Sequence, residues 1–312
     1  LKGLTPTHKP DLTKGDFMKP FVLLCKPWQR MIATLLVGAS LFSASVAYSA
    51  DDVIRVTGIP DENPTELARK NQPMVEYLEK KLGKKVTYVA VTDYGAAVSA
   101  LSAGKIDFAW LGGFTFVQAR HLAGAEPLAM RDIDRKFKSV FIASTTSGIE
   151  KPEDFKGKSF AFGSKSSTSG HLMPRHFLLS QLTINPEKDF AGLPVYSGAH
   201  DATVKLVESG KVQGGALNIE VWDRMLAEGK VDTKKVKLVW TSPEYVDYVW
   251  AARKGLAPEL VSKFKDAFLN LDPKDPQQKA VLDLQGAKVF VAASQADFDS
   301  IEKVARDTGL LK

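Results

Sequence analysis

Cysteine is nearly missing from this chain: of 312 residues only Cys25 carries a thiol, and it lies in an N-terminal stretch that reads as a leader. Without that stretch there is no disulfide and no thiolate metal ligand. Leu24 before Cys25 is not the small residue a lipoprotein attachment site needs. His-Glu-x-x-His is absent, and His171 and His176 are five apart, so they do not share a helix face. Gly-x-Ser-x-Gly, the strand-to-helix elbow of many serine hydrolases, does not occur. No run of Lys and Arg interleaved with aromatics is present, which removes the usual footprint of a nucleic-acid binder. After the leader no apolar run is long enough to span a bilayer.

Residues 1–50 differ from the rest. Lys26 and Arg30 precede an apolar, small-residue run from Met31 to Ala47, and acidic sequence begins at Asp51. This order predicts a secretory signal peptide, with Met18 or Met31 as start and cleavage near residues 47–50. Six basic residues (Lys2, Lys9, Lys14, Lys19, Lys26, Arg30) and two acidic ones (Asp11, Asp16) leave with it, so the net charge falls from +6 to +2. About 260 residues remain, enough for two lobes with ordinary cores.

Along those residues strand-like and helix-like patterns alternate. Val53 to Gly58, Lys85 to Val91 and Ile106 to Leu111 read as strands; Thr65 to Leu82 and Tyr94 to Ala103 read as helices. A second series runs from Ser139 to Trp240, and Tyr248 to Arg253 reads as a strand that returns to the first series. The expected fold is α/β with mixed sheets: lobe 1 from 51–142 and 246–312, lobe 2 from 143–245, a ligand cleft between them and two extended crossings as hinge.

The most informative stretch is Ser159 to His171, a strand running through a hydroxyl-rich turn into a helix. Free N–H groups at a helix start, the positive end of its dipole and hydroxyls from Ser166, Ser167, Thr168 and Ser169 can converge on a tetrahedral oxyanion. The same residues can also simply cap their own helix. Trp110 and Trp240 read as core, while Trp222 and Trp250 read as nearer the cleft. Glu62 and Glu220 are candidates for an amine on an organic ligand.

Seven segments together resemble one family. They are Ile59-Pro-Asp-Glu-Asn-Pro-Thr-Glu66, Pro73-Met-Val-Glu-Tyr-Leu78, Thr92-Asp-Tyr94, Ile106-Asp-Phe-Ala-Trp-Leu-Gly112, Ser166-Ser-Thr-Ser-Gly170, Ser197-Gly-Ala-His-Asp201 and Tyr245-Val-Asp-Tyr248. The chain resembles the periplasmic phosphonate- and phosphite-binding proteins of ABC transporters, including a close branch assigned to selenate. The resemblance implies a two-lobed type II periplasmic binding protein without cofactor or metal. It would be a monomer that closes on a phosphonate, phosphite or phosphate and delivers it to an inner-membrane permease.

It also implies site residues. Tyr94 looks like the family tyrosine that donates its hydroxyl to the anion, Ser167, Thr168 and Ser169 like the donors of the second lobe, His200 like the imidazole donor, and Asp247 like the acidic group at the returning crossing. The chain departs from the family at Gly112-Gly113, where many members have Gly-Pro, and at Phe116, where many have Tyr, so a ligand-holding hydroxyl is expected to be missing. Two other readings stand beside this one: selenate or sulfate binding by the same fold, and a secreted hydrolase using Ser169, His200 and Asp247 as nucleophile, base and orienter. A ligand sensor docking to a receptor would use the same pocket.

Overall fold

The computed structural model describes residues 53–62 and 64–312. The expected leader and its cleavage region lie outside the described residues.

Strand β1 (Val53–Gly58) is half-buried at alternate positions at its start and fully buried over Val56, Thr57 and Gly58, as the inner end of a strand covered on both faces should be. Helix α1 (Pro64–Lys70) and helix α2 (Gln72–Leu82) follow where one continuous helix is expected from the pattern. The break has a cause in Pro73: a prolyl nitrogen cannot donate to the preceding turn, so Pro is accommodated in the first turn of α2. Strand β2 (Lys85–Tyr88), helix α3 (Tyr94–Ser102), strand β3 (Phe108–Leu111), helix α4 (Gly113–Ala123) and strand β4 (Glu126–Arg131) complete this part.

The chain then crosses into a second sheet with β5 (Ser139–Ser144), β6 (Phe160–Phe162), α5 (Met173–Ser180), β7 (Val195–Tyr196), α6 (His200–Glu208), β8 (Gly214–Asn218), α7 (Ile219–Ala227) and β9 (Val236–Thr241). It returns through β10 (Val249–Ala252), α8 (Pro258–Leu269), α9 (Pro276–Gln285), β11 (Phe290–Ala292) and α10 (Asp299–Asp307).

Among the described residues the first sheet has the order β11-β4-β10-β3-β1-β2 and the second β7-β6-β8-β5-β9, both mixed. The architecture is the expected one: two α/β lobes built on two sheets. All of β5 pairs within the second sheet, so the expected boundary at residues 142 and 143 falls inside a strand. The strand starts at Ser139, so the switch between sheets lies before it.

Two crossing segments, 132–138 and 242–248, run side by side. Phe137 N–H donates to the Tyr245 carbonyl at 2.9 Å and Tyr245 N–H to the Phe137 carbonyl at 3.0 Å. Asp247 N–H donates to the Asp134 carbonyl and Ser242 N–H to the Ser139 carbonyl, both at 2.9 Å. The crossings thus form a short antiparallel ribbon with satisfied backbone groups, and the second of them carries Asp247.

Candidate functional site

The serine-rich turn is built by close backbone approach. Gly163, just past β6, donates its N–H to the Gly170 carbonyl at 2.8 Å, which folds the loop back on the strand end. A Cβ on Gly170 would lie 3.0 Å from both His200 Cε1 and Ser167 Oγ and 3.1 Å from Gly163 Cα, so only glycine fits without displacement. From Thr168 to Leu172 the chain makes a single widened π-type turn before α5 begins. Such turns leave amide groups off the regular ladder and recur at binding sites.

The three expected hydroxyl residues come together here and all are buried, but their roles differ. Ser167 Oγ accepts the Gly170 N–H at 2.9 Å and thereby caps its own turn. Thr168 Oγ1 accepts the Phe114 N–H at 3.0 Å, a bond from the first amides of α4 in one lobe to a side chain of the other. The Ser169 carbonyl accepts from the Ser139 hydroxyl at 2.7 Å, and that hydroxyl also lies 2.6 Å from the Tyr245 hydroxyl.

Asp247 faces the same turn. Its Oδ1 accepts the Gly113 N–H at 2.8 Å, while Oδ2 is buried with no partner. Burial pushes this carboxyl up to about 7; Asp134 and Asp61 push the same way, and the Gly113 bond and the Thr168 hydroxyl oppose them. Gly112 is what permits the meeting: a Cβ there would stand 2.9 Å from Thr168 Oγ1 and 3.1 Å from Asp247 Oδ1. The departure itself is at Gly113, whose N–H donates to Asp247 Oδ1, a bond a proline could not make. Phe116 is fully buried, with its ring against that of Phe298 at a centroid distance of 4.7 Å.

Tyr94 and His200 are also brought together, each in the first turn of its helix. Asp93 accepts the Ala96 N–H at 2.8 Å and so fixes the start of α3. The Tyr94 hydroxyl hydrogen-bonds Asp61 Oδ1 and lies 3.2 Å from His200 Nε2. His200 N–H donates across the cleft to the Asp61 carbonyl at 3.0 Å. Asn218 N–H donates to His200 Nδ1 at 3.3 Å, so in the neutral ring the hydrogen sits on Nε2, which points to Tyr94 and Asp61. The Tyr248 hydroxyl donates to Asp61 Oδ2 at 2.9 Å and accepts from Asn218 Nδ2 at 2.8 Å. Burial and the neighbouring Asp61 hold the Tyr94 and Tyr248 hydroxyls well above the usual phenol range, so both remain protonated.

Asp61, Asn218 and Tyr248 are site residues that the sequence pattern does not single out. Asp61 and Tyr248 sit within segments that carry the family resemblance, which was the one available signal. Asn218 ends the apolar strand β8, where its side chain caps α7 by accepting from Glu220 and Val221 N–H.

A cleft of ≈ 600 Å³ opens beside this cluster, lined by Asp61, Glu62, Trp110, Arg131, Glu220 and Tyr248 among others. Both of its arginines are already paired. Arg131 is buried over the rings of Tyr248, Trp110 and Phe137 at 5.0, 5.5 and 5.8 Å, and it pairs with Asp134 and Glu220 at 2.6 Å each. Arg224 pairs with Glu62 at 2.6 Å. Neither carboxylate expected to await an amine is therefore free. The tryptophan expectation also needs correction. Trp110 is half-buried in the cleft wall and stacks on Tyr248, with centroids 5.5 Å apart. Trp222 is instead core; Trp250 does line the cleft, as expected, although it is only 1% exposed and lies mainly against Phe264 and Phe268.

The geometry has the makings of an oxyanion cradle: neutral donors from both lobes and one acceptor atom left unpaired. It does not make a triad. His200 Nδ1, where an orienting carboxylate would belong, accepts a backbone N–H, and Asp247 bonds Gly113 instead.

Comparison with known proteins points the same way. Residues 56–298 match the family model described as "ABC transporter, phosphonate, periplasmic substrate-binding protein". The chain is 38% identical over 279 residues to a Prochlorococcus marinus protein named "Probable ABC transporter phosphite binding protein PhnD1", covering 86% of this chain and 93% of that one. It is 27% identical over 274 residues to the "Phosphonates-binding periplasmic protein" of Escherichia coli, covering 86% and 80%. The solved structure of PhnD1 from Prochlorococcus marinus in complex with methylphosphonate superimposes with a TM-score of 0.79 at 36% identity, over 83% of this chain and 98% of that one.

Proposed function

Since the chain belongs to the periplasmic substrate-binding proteins of phosphonate ABC transporters, we propose that it captures a small phosphorus oxyanion, such as methylphosphonate, phosphite or phosphate, and hands it to its membrane permease. The observation that carries this reading is the meeting of Thr168, Asp247 and the first amides of α4 around an unpaired buried carboxylate oxygen. Ser167, Thr168 and Ser169 from the second lobe, with Tyr94, His200 and Asp247, form the cradle. Neutral donors suit a buried anion because they stabilise its charge with no cation to desolvate.

Closure is a hinge motion at the crossing ribbon, between one lobe carrying the first sheet and another carrying the second. Binding drives it only as far as the closed form holds the anion better than the open form. Phe114 N–H to Thr168 and His200 N–H to Asp61 are bonds that exist only when the lobes meet. Residues 31–50 serve as the end of a cleaved leader, the mature protein acts as a monomer in the periplasm, and it performs no turnover, a reading supported by the occupied Nδ1 of His200.

An acceptor atom at Asp247 favours ligands that keep an acidic hydrogen, which phosphorus oxyanions offer near neutral pH and selenate or sulfate do not. Thermal shift and titration calorimetry with methylphosphonate, phosphite, phosphate, sulfate and selenate test this. A tight ligand raises apparent stability by several kcal/mol when present at about a thousand times its dissociation constant. Stabilisation by sulfate and selenate alone would overturn the reading.

A further inference from the structure

Asp61 sits at the edge of the cradle and has no place in the reading above, yet it gathers more of the cradle's hydrogens than any ligand has yet been assigned. The Tyr94 and Tyr248 hydroxyls both donate to its carboxylate, and His200 Nε2 lies 3.5 Å from Oδ1. A phenol has one hydrogen. With that hydrogen committed to Asp61, the Tyr94 oxygen can offer only lone pairs in any other direction. Tyr248 is committed in the same way, since it gives its hydrogen to Asp61 and takes one from Asn218 at 2.8 Å.

We propose that Asp61 is a specificity-determining residue: by taking the Tyr94 hydrogen it turns that tyrosine into an acceptor, so the site selects an oxyanion that retains a hydrogen to donate.

The inference rests on the oxyanion reading and sharpens it. Two acceptors then flank the cradle, the Tyr94 oxygen on one side, where His200 Nε2 and the Ser167 hydroxyl also meet it, and Asp247 Oδ2 on the other, beside the Thr168 hydroxyl. A monoprotonated anion satisfies such a set. A fully ionised one leaves an acceptor facing an acceptor, which costs the desolvation of both. Among the described residues neither arginine of the cleft offsets this. Arg131 reaches the cluster only through the ring face of Tyr248, and its N–H groups are spent on Asp134, Glu220 and the Gln285 carbonyl; Arg224 is held by Glu62. The Asp61 carbonyl also accepts the His200 N–H of the opposite lobe at 3.0 Å, so the residue is held in place when the lobes meet.

The test compares methylphosphonate with trifluoromethylphosphonate at one neutral pH. The two have similar shape, but fluorine lowers the second ionisation, so the second ligand is wholly dianionic where the first keeps a protonated fraction. Wild type is expected to prefer methylphosphonate by about tenfold or more in titration calorimetry. Asp61→Ala frees the Tyr94 hydrogen to donate, and the ratio is expected to shrink by about tenfold. Asp61→Asn keeps an oxygen at the Oδ1 position, beside His200 Nε2, to accept the Tyr94 hydrogen, and turns its NH₂ toward Tyr248, so it should retain the preference. The ratio is read because, unlike an absolute affinity, it is insensitive to a general loosening of the cleft. An unchanged ratio in Asp61→Ala overturns the proposal, as does an equal loss in both variants, which would make charge and not bond direction the cause. Wild type that binds neither ligand would instead sink the oxyanion reading itself.

Discussion

Thr168 Oγ1 accepts the Phe114 N–H at 3.0 Å, and this bond joins the serine-rich turn of one lobe to the start of α4 in the other. Thr168 is 2% exposed, so neither partner can turn to water while the lobes are closed. The hydroxyl hydrogen of the same threonine is left for Asp247 or for a bound anion.

Thr168→Ala should therefore do two things at once. It removes a donor to a charged acceptor and leaves the Phe114 N–H unpaired, each worth about 1–3 kcal/mol in the closed form. Ligand affinity is expected to fall by about tenfold or more, while Thr168→Ser, which keeps the oxygen, should stay near wild type. Calorimetry decides this; equal affinities for all three proteins would show the bond to be incidental.

Gly112 is the second position at which closure can be addressed. Its backbone lies at φ −72° and ψ 161°, which any residue adopts, so Gly112→Ala carries no backbone strain. The new Cβ would press on Thr168 Oγ1 at 2.9 Å and Asp247 Oδ1 at 3.1 Å. The expected outcome is a folded protein that cannot close fully, with weakened binding and a larger radius of gyration in saturating ligand. Wild-type affinity together with wild-type compaction on binding, seen by small-angle scattering, would refute this.

How much of this was legible in the sequence follows from distance along the chain. The serine turn could be read because strand, hydroxyls and helix are contiguous, and the alternation of strand and helix gave the two sheets. The Asp61 cluster could not, since its tyrosines lie 33 and 187 residues away and no local pattern records their meeting. Local reading also overestimated one helix, because apolar spacing continues through Pro73 while the backbone does not. Trp110 was misread for a related reason. It continues an apolar strand, but its ring meets Tyr248 at the cleft, whereas Trp250, its partner in register on β10, is covered by Phe264 and Phe268 from α8.

Stability should depend on pH through Asp247. Its carboxyl is raised to about 7 in the folded state, chiefly by burial, so the folded form holds a proton that the unfolded form has already released. The sign follows: this group's contribution is most favourable below the unfolded value of about 4, declines as the pH rises toward 7, and is flat above that. The loss is on the order of a few kcal/mol for a shift of this size. Asp247→Asn should flatten the fall in melting temperature between about pH 5 and pH 7. A slope that the substitution leaves unchanged would assign the effect to another group.

The same substitution discriminates among oxyanions. In the wild type Oδ1 is occupied by the Gly113 N–H and Oδ2 has no partner; above about pH 7, where the carboxyl is ionised, Oδ2 is a bare acceptor, and the comparison is made there. A monoprotonated phosphonate or phosphite can donate to it, forming a charge-assisted bond worth about 1.5–3 kcal/mol, whereas sulfate and selenate bring only acceptors. Asparagine keeps the oxygen for Gly113 and places an NH₂ group where Oδ2 was, so an acceptor becomes a donor. Methylphosphonate affinity is then expected to drop by about tenfold or more, and sulfate or selenate affinity to rise. Titration calorimetry with each anion on both proteins reads the exchange directly. Tight selenate binding by the wild type that Asp247→Asn leaves untouched would mean that the orphaned oxygen plays no part in ligand choice.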